Sequence, residues 1–155
     1  MTPGIALLKK NNISHKVHEY RHDSSSDSYG LEASQKLGVA EERVFKTLVV
    51  ALGNKKLVVG VVPVSTMLNL KLIARAAGAK KAIMAAPADV ERSTGYVLGG
   101  VSPLGQKKRL KTILDLSIQN HSTIFVSAGR RGLEIELSPD DLIKAVDGNL
   151  AKICE

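Results

Sequence analysis

Apolar and polar positions follow two different periods along the chain, and the periods separate predicted helices from predicted strands. Thr2 followed by Pro3 is typical of a helix N-terminus, and an apolar face continues until Asn11. Two β-branched runs, at 46–52 and 56–63, are separated by Gly-Asn-Lys, which predicts a hairpin. Because these runs are almost continuously apolar, we expect both strands to be buried on both faces.

The same signals predict the other elements. Mixed helices and strands, paired by hairpins rather than by regular βαβ units, favour a mixed α/β fold in which helices surround a curved or barrel-like mixed β-sheet, over a Rossmann fold. A polar Ser/Asp-rich loop is expected at 21–30. The further predicted strands are 14–20, 80–86, 123–129 and 133–137, and the further helices are 31–38, 69–78, 87–95 and one that begins at Ser138.

Length and composition fit one domain over residues 1–155. The chain has 44% hydrophobic residues, enough for a real core. No apolar run approaches the roughly 18 residues of a membrane span, and the N-terminus lacks the order of a secretory signal, so we expect a cytoplasmic protein without membrane contact. The single cysteine, Cys154, excludes an internal disulfide, and its terminal position argues against a catalytic thiol.

The charge balance points to an anionic partner. The formal charge is +7 and the isoelectric point is about 9.6, which suits a polyanion. Aromatic residues make up 3% of the chain and Trp is absent, which argues against an extended platform for stacked bases. The densest basic run is KKRLK at 107–111, called the basic segment below. It is either a solvated surface or a short phosphate contact.

A glycine-rich stretch at 94–110 nearly matches two catalytic motifs. Gly100 and Gly105 have the spacing of a Walker A loop, but Gln and Lys stand where that motif needs Lys and Ser/Thr. Ser102 stands where a G-x-S-x-G nucleophile elbow would place its serine, but Leu104 occupies the position of the second glycine. The stretch is therefore neither a triphosphate loop nor a nucleophile turn.

The histidines do not assemble into a metal site or a catalytic relay. His15, His18, His22 and Asp23 are metal-ligand residue types, but an odd separation on a strand points His15 and His18 to opposite faces. His121 has no identifiable partner for a Ser/His/Asp relay. We expect no metal and no cofactor.

Lys46 stands at the start of an apolar strand, directly after Phe45. In that position its ammonium can point into a pocket at the strand end, where it would pair with a phosphate or stabilise an oxyanion. The alternative is an ordinary strand-end lysine.

Three segments carry a resemblance to a known family: VFKTLVV (44–50), RSTGYVLGGVSPLGQKKRL (92–110) and VSAGRRGLEIEL (126–137). They closely resemble the YbaK subfamily of the YbaK/EbsC family, which is similar to the editing domain of bacterial prolyl-tRNA synthetase. The opening MTPGIALL and the final helix also match, so the resemblance covers nearly the whole chain.

The resemblance implies an aminoacyl-tRNA deacylase that removes cysteine from mischarged Cys-tRNA(Pro) and works in trans beside prolyl-tRNA synthetase. In the YbaK-like scheme the substrate's own thiol attacks its carbonyl and a thiolactone leaves. Water activated by a hydroxyl of the terminal ribose is the alternative. Removal of alanine, a broader deacylase activity and a non-catalytic module that binds tRNA or a synthetase also remain open.

The resemblance also assigns residues. Lys46 corresponds to the essential lysine, which contacts either a phosphate or the carbonyl region, and the loop from Gly95 to Gly105 would line the aminoacyl pocket. Tyr29 stands where the family often has Phe, and Glu134 where related sequences often have Asp. The expected tRNA contacts come from the basic segment itself rather than from the resemblance, and they are Lys107, Lys108, Arg109 and Lys111. The expected substrate-binding residues are Tyr20, Tyr29, Thr47, Gly95, Gly99, Gly100, Ser127 and Glu134.

Overall fold

A computed structural model describes residues 1–25 and 28–155, within which five α-helices and eight strands are formed. Short 3₁₀ turns occupy Glu41–Arg43 and Leu116–Asn120. The helices are α1 (Pro3–Lys10), α2 (Tyr29–Leu37), α3 (Leu70–Ala76), α4 (Pro87–Thr94) and α5 (Pro139–Val146). The strands are β1 (Lys16–Glu19), β2 (Phe45–Leu52), β3 (Leu57–Pro63), β4 (Ala82–Met84), β5 (Lys111–Asp115), β6 (Ile124–Ser127), β7 (Leu133–Leu137) and β8 (Asn149–Ala151).

The described strands form two sheets. The smaller sheet has the order β1-β7-β6 and is antiparallel throughout. The larger has the order β4-β2-β3-β5-β8, in which β3-β5 and β5-β8 are parallel. The predicted hairpins are present as β2-β3 and β6-β7. The sequence did not predict β5, β8 or the two parallel pairings. The basic segment at 107–111 ends on Lys111, which is the first residue of β5.

Most helix ends coincide with the predicted capping signals. The hydroxyl of Thr2 accepts a hydrogen bond from the Ile5 amide at 3.3 Å, and α5 begins after Ser138. Helix α2 ends at Gly38, whose φ of 68° is left-handed. It begins at Tyr29, inside the loop predicted at 21–30, and residues 26 and 27 of that loop lie outside the described residues.

Strand β3 is buried on both faces, as its sequence predicts. Val59 and Val61 pack into the larger apolar cluster, which also contains residues of β6, β7 and α5. Val58 and Val62 point the other way, into a second cluster that includes Ile73 of α3. Fully burying each such side chain contributes roughly 1.5–3 kcal/mol. The β2-β3 hairpin is therefore a rigid base for the residues at its ends.

The helices of residues 1–25 and 28–155 include no candidate for a membrane span. Each of them is too short or too polar to span a bilayer.

Candidate active site

One cavity of about 290 Å³ brings together most of the residues that the sequence singled out. Its walls come from the start of β2, the first residues of α2, the loop at 98–101 and the β6-β7 hairpin. We call it the Lys46 cavity. The predicted site residues that line it are Tyr20, Tyr29, Lys46, Thr47, Gly99, Ser127 and Glu134.

Lys46 is the second residue of β2 and pairs in register with Val62. Its ammonium Nζ donates a hydrogen bond to the carbonyl oxygen of Thr66 at 2.8 Å. The side chain is half-buried, and burial lowers the pKa of Lys46 below its usual value. Lys46 forms no ion pair with any residue in 1–25 or 28–155. Its positive charge is thus held in place by a neutral carbonyl.

The carbonyl that holds Lys46 belongs to a loop fixed by the last residues of the chain. The Met67 amide donates to the Glu155 carbonyl at 3.1 Å, and the Asn69 amide donates to the Ile153 carbonyl at 2.8 Å. The buried carboxylate of Asp115 in turn accepts from the Ile153 amide at 3.0 Å. The loop that contains Thr66 is therefore held by the segment 153–155, which is itself bonded to the buried Asp115.

Glu134 supplies an unpaired acid to the Lys46 cavity. It lies on β7 opposite Ser127 and is only 7% exposed, and burial raises the pKa of Glu134 to about 8. Among the described residues it makes no side-chain hydrogen bond or ion pair, whereas Glu136, two residues on, pairs with His18 and Arg43. Burial, together with the negative charge of the ionised Glu134 carboxylate, raises the pKa of Tyr20 to about 12. The cavity therefore contains an acid that titrates near neutral pH.

Two hydroxyls in the Lys46 cavity, those of Thr47 and Ser127, differ in their hydrogen bonding. Thr47 Oγ1 is buried and has no hydrogen-bond partner among the described residues. Ser127 Oγ accepts from the Gly129 amide at 3.1 Å, which fixes the β6-β7 turn. A buried hydroxyl without a partner is costly unless a ligand pairs with it.

Position 99 has room only for glycine. Its φ is +88°, and an added Cβ would lie 2.3 Å from Cε2 of Tyr29 and 2.9 Å from Nε of Arg131. Tyr29 and Arg131 both line the cavity. The glycine thus allows two side chains to close over the loop at 98–101.

Two of the predicted substrate-binding glycines lie outside the lining of the Lys46 cavity. Gly95 ends α4 with φ +81° and faces Lys107, and Gly100 packs against the backbone of Arg130. Neither lines the Lys46 cavity. The expectation that the whole loop from Gly95 to Gly105 lines the pocket is therefore too broad, because its first part is a helix cap.

The basic segment lies away from the Lys46 cavity lining. Lys108 and Arg109 border a separate hollow of about 220 Å³ with Leu7, and Lys108 also borders one of about 760 Å³ beside β4. None of the seven predicted residues that line the Lys46 cavity lines either hollow.

The sequence missed two cationic residues of the cavity. Arg130 and Arg131, in the turn between β6 and β7, both line it. The available signal was the pair of arginines between two glycines, GRRG at 129–132, since a tight turn at the end of a hairpin presents its side chains outward.

The histidines have structural partners. His18 Nε2 lies 2.8 Å from Glu136 Oε1, and His22 Nδ1 lies 2.6 Å from Glu32 Oε1. The ring of His121 packs edge-on against Phe45. The described residues contain no group of three side chains able to hold a metal ion. Within the same residues, the hydrogen bonds of the histidine rings go to a main-chain carbonyl or to a carboxylate and not to a serine.

With this geometry in place, comparison with known proteins identifies the family. Residues 26–145 match the family model described as the aminoacyl-tRNA editing domain. The chain belongs to this family. The match includes β2, the loop at 98–101 and the β6-β7 hairpin, which are the main walls of the Lys46 cavity.

Two curated relatives and one solved structure extend the comparison. EbsC of Enterococcus faecalis, named as a proposed Cys-tRNA(Pro)/Cys-tRNA(Cys) deacylase, is 40% identical over 98% of this chain and 92% of its own length. The uncharacterized YwhH of Bacillus subtilis is 30% identical over 72% of this chain and 70% of its own. A crystal structure described as a proposed trans-editing enzyme for prolyl-tRNA synthetase has TM-score 0.87 at 22% identity, over 99% of this chain and 95% of that one. This last likeness shows that the two chains share a fold.

Proposed function

We propose that this editing-domain protein is a trans-acting deacylase that removes cysteine from mischarged Cys-tRNA(Pro). The observation that carries the proposal is the Lys46 cavity, in which a fixed ammonium, an unpaired hydroxyl and a neutral acid converge. Its volume of about 290 Å³ is at the small end of ligand sites and suits the aminoacylated end of a tRNA. The relationship to EbsC supports the same substrate class.

The substrate itself supplies the nucleophile in this mechanism. The cysteine sulfur forms a bond to the carbonyl carbon, the ester bond to the terminal ribose breaks, and the thiol proton goes to the ribose oxygen. The products are uncharged tRNA and a cyclic thiolactone, which water then opens to free cysteine. Holding the thiol against its own carbonyl provides the rate gain of an intramolecular reaction.

The protein's residues orient the ester and stabilise the charge that develops. Lys46 is anchored inside the cavity on the carbonyl of Thr66, and a positive charge near a developing oxyanion lowers the barrier. The Thr47 hydroxyl pairs with a polar group of the substrate, which removes the cost of leaving it unpaired.

Glu134 holds the α-amino group of the aminoacyl ester. Its carboxyl is unpaired in the free protein and its pKa of about 8 favours the neutral form at pH 7. An approaching ammonium favours the ionised form. On binding, Glu134 therefore releases its proton to solvent and pairs with the ammonium, and the site discriminates in favour of substrates with a free amino group.

The acceptor end of tRNA(Pro) and prolyl-tRNA synthetase are the proposed macromolecular partners. The net charge of +7 supports tRNA binding, and Lys107, Lys108, Arg109 and Lys111 remain proposed contacts farther along the acceptor stem.

A deacylation assay with Cys-tRNA(Pro), Ala-tRNA(Pro) and Pro-tRNA(Pro) tests the proposed function. We expect rapid turnover of the first and slow turnover of the third. Preference for alanine would overturn the cysteine assignment. Tight binding of all three without release of amino acid would overturn the enzyme and support a binding module.

A further inference from the structure

We propose that Arg131, assisted by Arg130, forms a phosphate site at the mouth of the Lys46 cavity that binds the 5′-phosphate of the terminal nucleoside. This inference rests on the proposed function and deepens it. It assigns recognition of the substrate's last phosphate to the β6-β7 turn rather than to Lys46 or to the basic segment.

The guanidinium of Arg131 is held in a defined position. Its Cζ lies 3.7 Å from the centroid of the Tyr29 ring, close enough for a cation–π interaction. Nη2 is 3.5 Å from the carbonyl oxygen of Leu98, a long hydrogen bond. The side chain thus joins α2, the loop at 98–101 and the β6-β7 turn, which are three walls of the cavity.

Tyr29 is itself supported from behind. The His22 ring meets it edge-on at 5.6 Å between centroids, and His22 is fixed by the buried carboxylate of Glu32 at 2.6 Å. Glu32 also accepts a hydrogen bond from the Asp23 amide. The ring that positions Arg131 therefore belongs to a connected polar network, so the guanidinium is pre-organised rather than freely mobile.

Most donors of Arg131 are available to a ligand. A guanidinium has five N–H groups in a planar fork, and the Leu98 carbonyl uses one of them. Arg131 forms no ion pair with the residues that the structure describes, whereas Arg43 pairs with Glu136 and Arg92 pairs with Asp89. A fixed, unpaired guanidinium fork matches the oxygens of a phosphate.

Arg130 adds a second, more mobile charge. Its nearest acid is Glu19, at 3.8 Å, and both side chains are more than half exposed. Exposed pairs at that distance contribute little. Arg130 can therefore leave Glu19 at little cost and join Arg131 on the same phosphate.

The order of groups in the substrate agrees with this placement. The aminoacyl ester is on one side of the terminal ribose and the 5′-phosphate is on the other. Glu134 is buried, whereas Arg130 and Arg131 line the cavity and are exposed to solvent. With the amino acid inside the cavity near Glu134, the ribose therefore lies at the mouth, beside the two arginines. Lys46, anchored inside on Thr66, is then left to the carbonyl region.

Two minimal substrates test the phosphate site: 3′-cysteinyl-adenosine and the same ester with a 5′-phosphate. The readout is the ratio of their kcat/KM values, which cancels any general loss of activity in a variant. We expect the phosphate to raise kcat/KM at least about tenfold in the wild type, mainly through KM. In Arg131→Ala we expect a ratio near one, and in Arg131→Lys an intermediate ratio.

Arg75→Ala is the matched control, since it removes the same charge from an exposed position on α3 and should keep the wild-type ratio. An unchanged ratio in both Arg131→Ala and the Arg130→Ala/Arg131→Ala double variant would overturn the phosphate site. A ratio near one in the wild type would do the same.

A binding measurement separates this inference from the proposed function. Non-hydrolysable 3′-cysteinylamido-adenosine, with and without the 5′-phosphate, is titrated calorimetrically into wild type and Arg131→Ala. If Cys-tRNA(Pro) is not cleaved but the phosphate still improves binding only when Arg131 is present, the deacylase proposal fails and the phosphate site stands. If cleavage is normal and binding ignores the phosphate in both proteins, the site fails and the deacylase stands.

Discussion

The ammonium nitrogen of Lys46 lies 2.8 Å from the carbonyl oxygen of Thr66, across the end of the β2-β3 hairpin. This bond holds a charge in the Lys46 cavity without neutralising it. The carbonyl is fixed because the loop after β3 pairs with Ile153 and Glu155.

Replacing Lys46 by alanine should reduce deacylation about 10²- to 10³-fold, the usual cost of removing one oxyanion stabiliser. The fold should persist, because the lost hydrogen bond contributes only about 1 kcal/mol to stability. Single-turnover rates and urea denaturation measure the two effects. Lys71→Ala, an exposed lysine on α3, is the control. A folded Lys46→Ala protein with near-normal turnover would contradict the role of Lys46.

Gly99→Ala should damage the site more than its backbone strain alone explains. The new Cβ would overlap Tyr29 and meet Arg131 at 2.9 Å, so we expect a loss of about 1–3 kcal/mol in stability and a raised KM. Gly78→Ala is matched in backbone, with φ +76° and no atom within 4 Å of the added Cβ. It should show the strain cost, about 1–2 kcal/mol, and normal kinetics. Equal kinetics in the two variants would remove Gly99 from the site.

Glu134 should make the protein less stable as pH rises. Its pKa is raised by burial to about 8 in the folded state, from 4.5. The folded state therefore binds more protons than the unfolded state between these values, and stability falls over that window. Glu134→Gln, which stays neutral, should gain stability relative to the wild type from pH 5 to pH 8. Thermal unfolding at several pH values measures the difference, and parallel curves for the two proteins would show that Glu134 ionises normally.

Binding to tRNA without the synthetase should be weak and sensitive to salt. The charge excess is modest, and the basic segment offers only a few phosphate contacts. Each contact removed by alanine substitution at Lys107, Lys108 or Arg109 should reduce the slope of log K against log salt by about 0.7–0.9. Lys71→Ala, which removes one charge from an exposed position on α3, is the charge-matched control. Tight binding that persists at high salt would contradict this prediction.

Local sequence signals predicted the elements that carry their own chemistry. The hairpin at 46–63 was predicted because Gly-Asn-Lys separates two β-branched runs, and α5 because Ser138 and Pro139 form a helix start. Strand β5 was missed because KKRLK precedes its apolar residues. Its partners, β3 and β8, are distant in sequence, so no local signal indicates the parallel pairings.

Some features of the site could be predicted from sequence motifs, and others depend on the tertiary structure. Family motifs pointed to seven residues that the structure places around one cavity, including Lys46 and Glu134. They did not distinguish Gly99, which contacts Tyr29, from Gly95, which caps a helix, because both are glycines with positive φ in one loop. The unpaired state of Thr47 and the position of Arg131 depend on tertiary packing and are visible only in the structure.

Attack by the substrate's own thiol is tested most directly by comparing Cys-tRNA(Pro) with Ser-tRNA(Pro) under single-turnover conditions. The two side chains have nearly the same shape, but a thiol has a reactive thiolate fraction near neutral pH and a hydroxyl does not. If the substrate's side chain attacks, the chemical rate should fall by orders of magnitude with serine while binding changes little, and a trappable thiolactone should precede free cysteine. Equal rates for the two substrates, without a cyclic product, would contradict attack by the side chain and support attack by water assisted by the ribose hydroxyl.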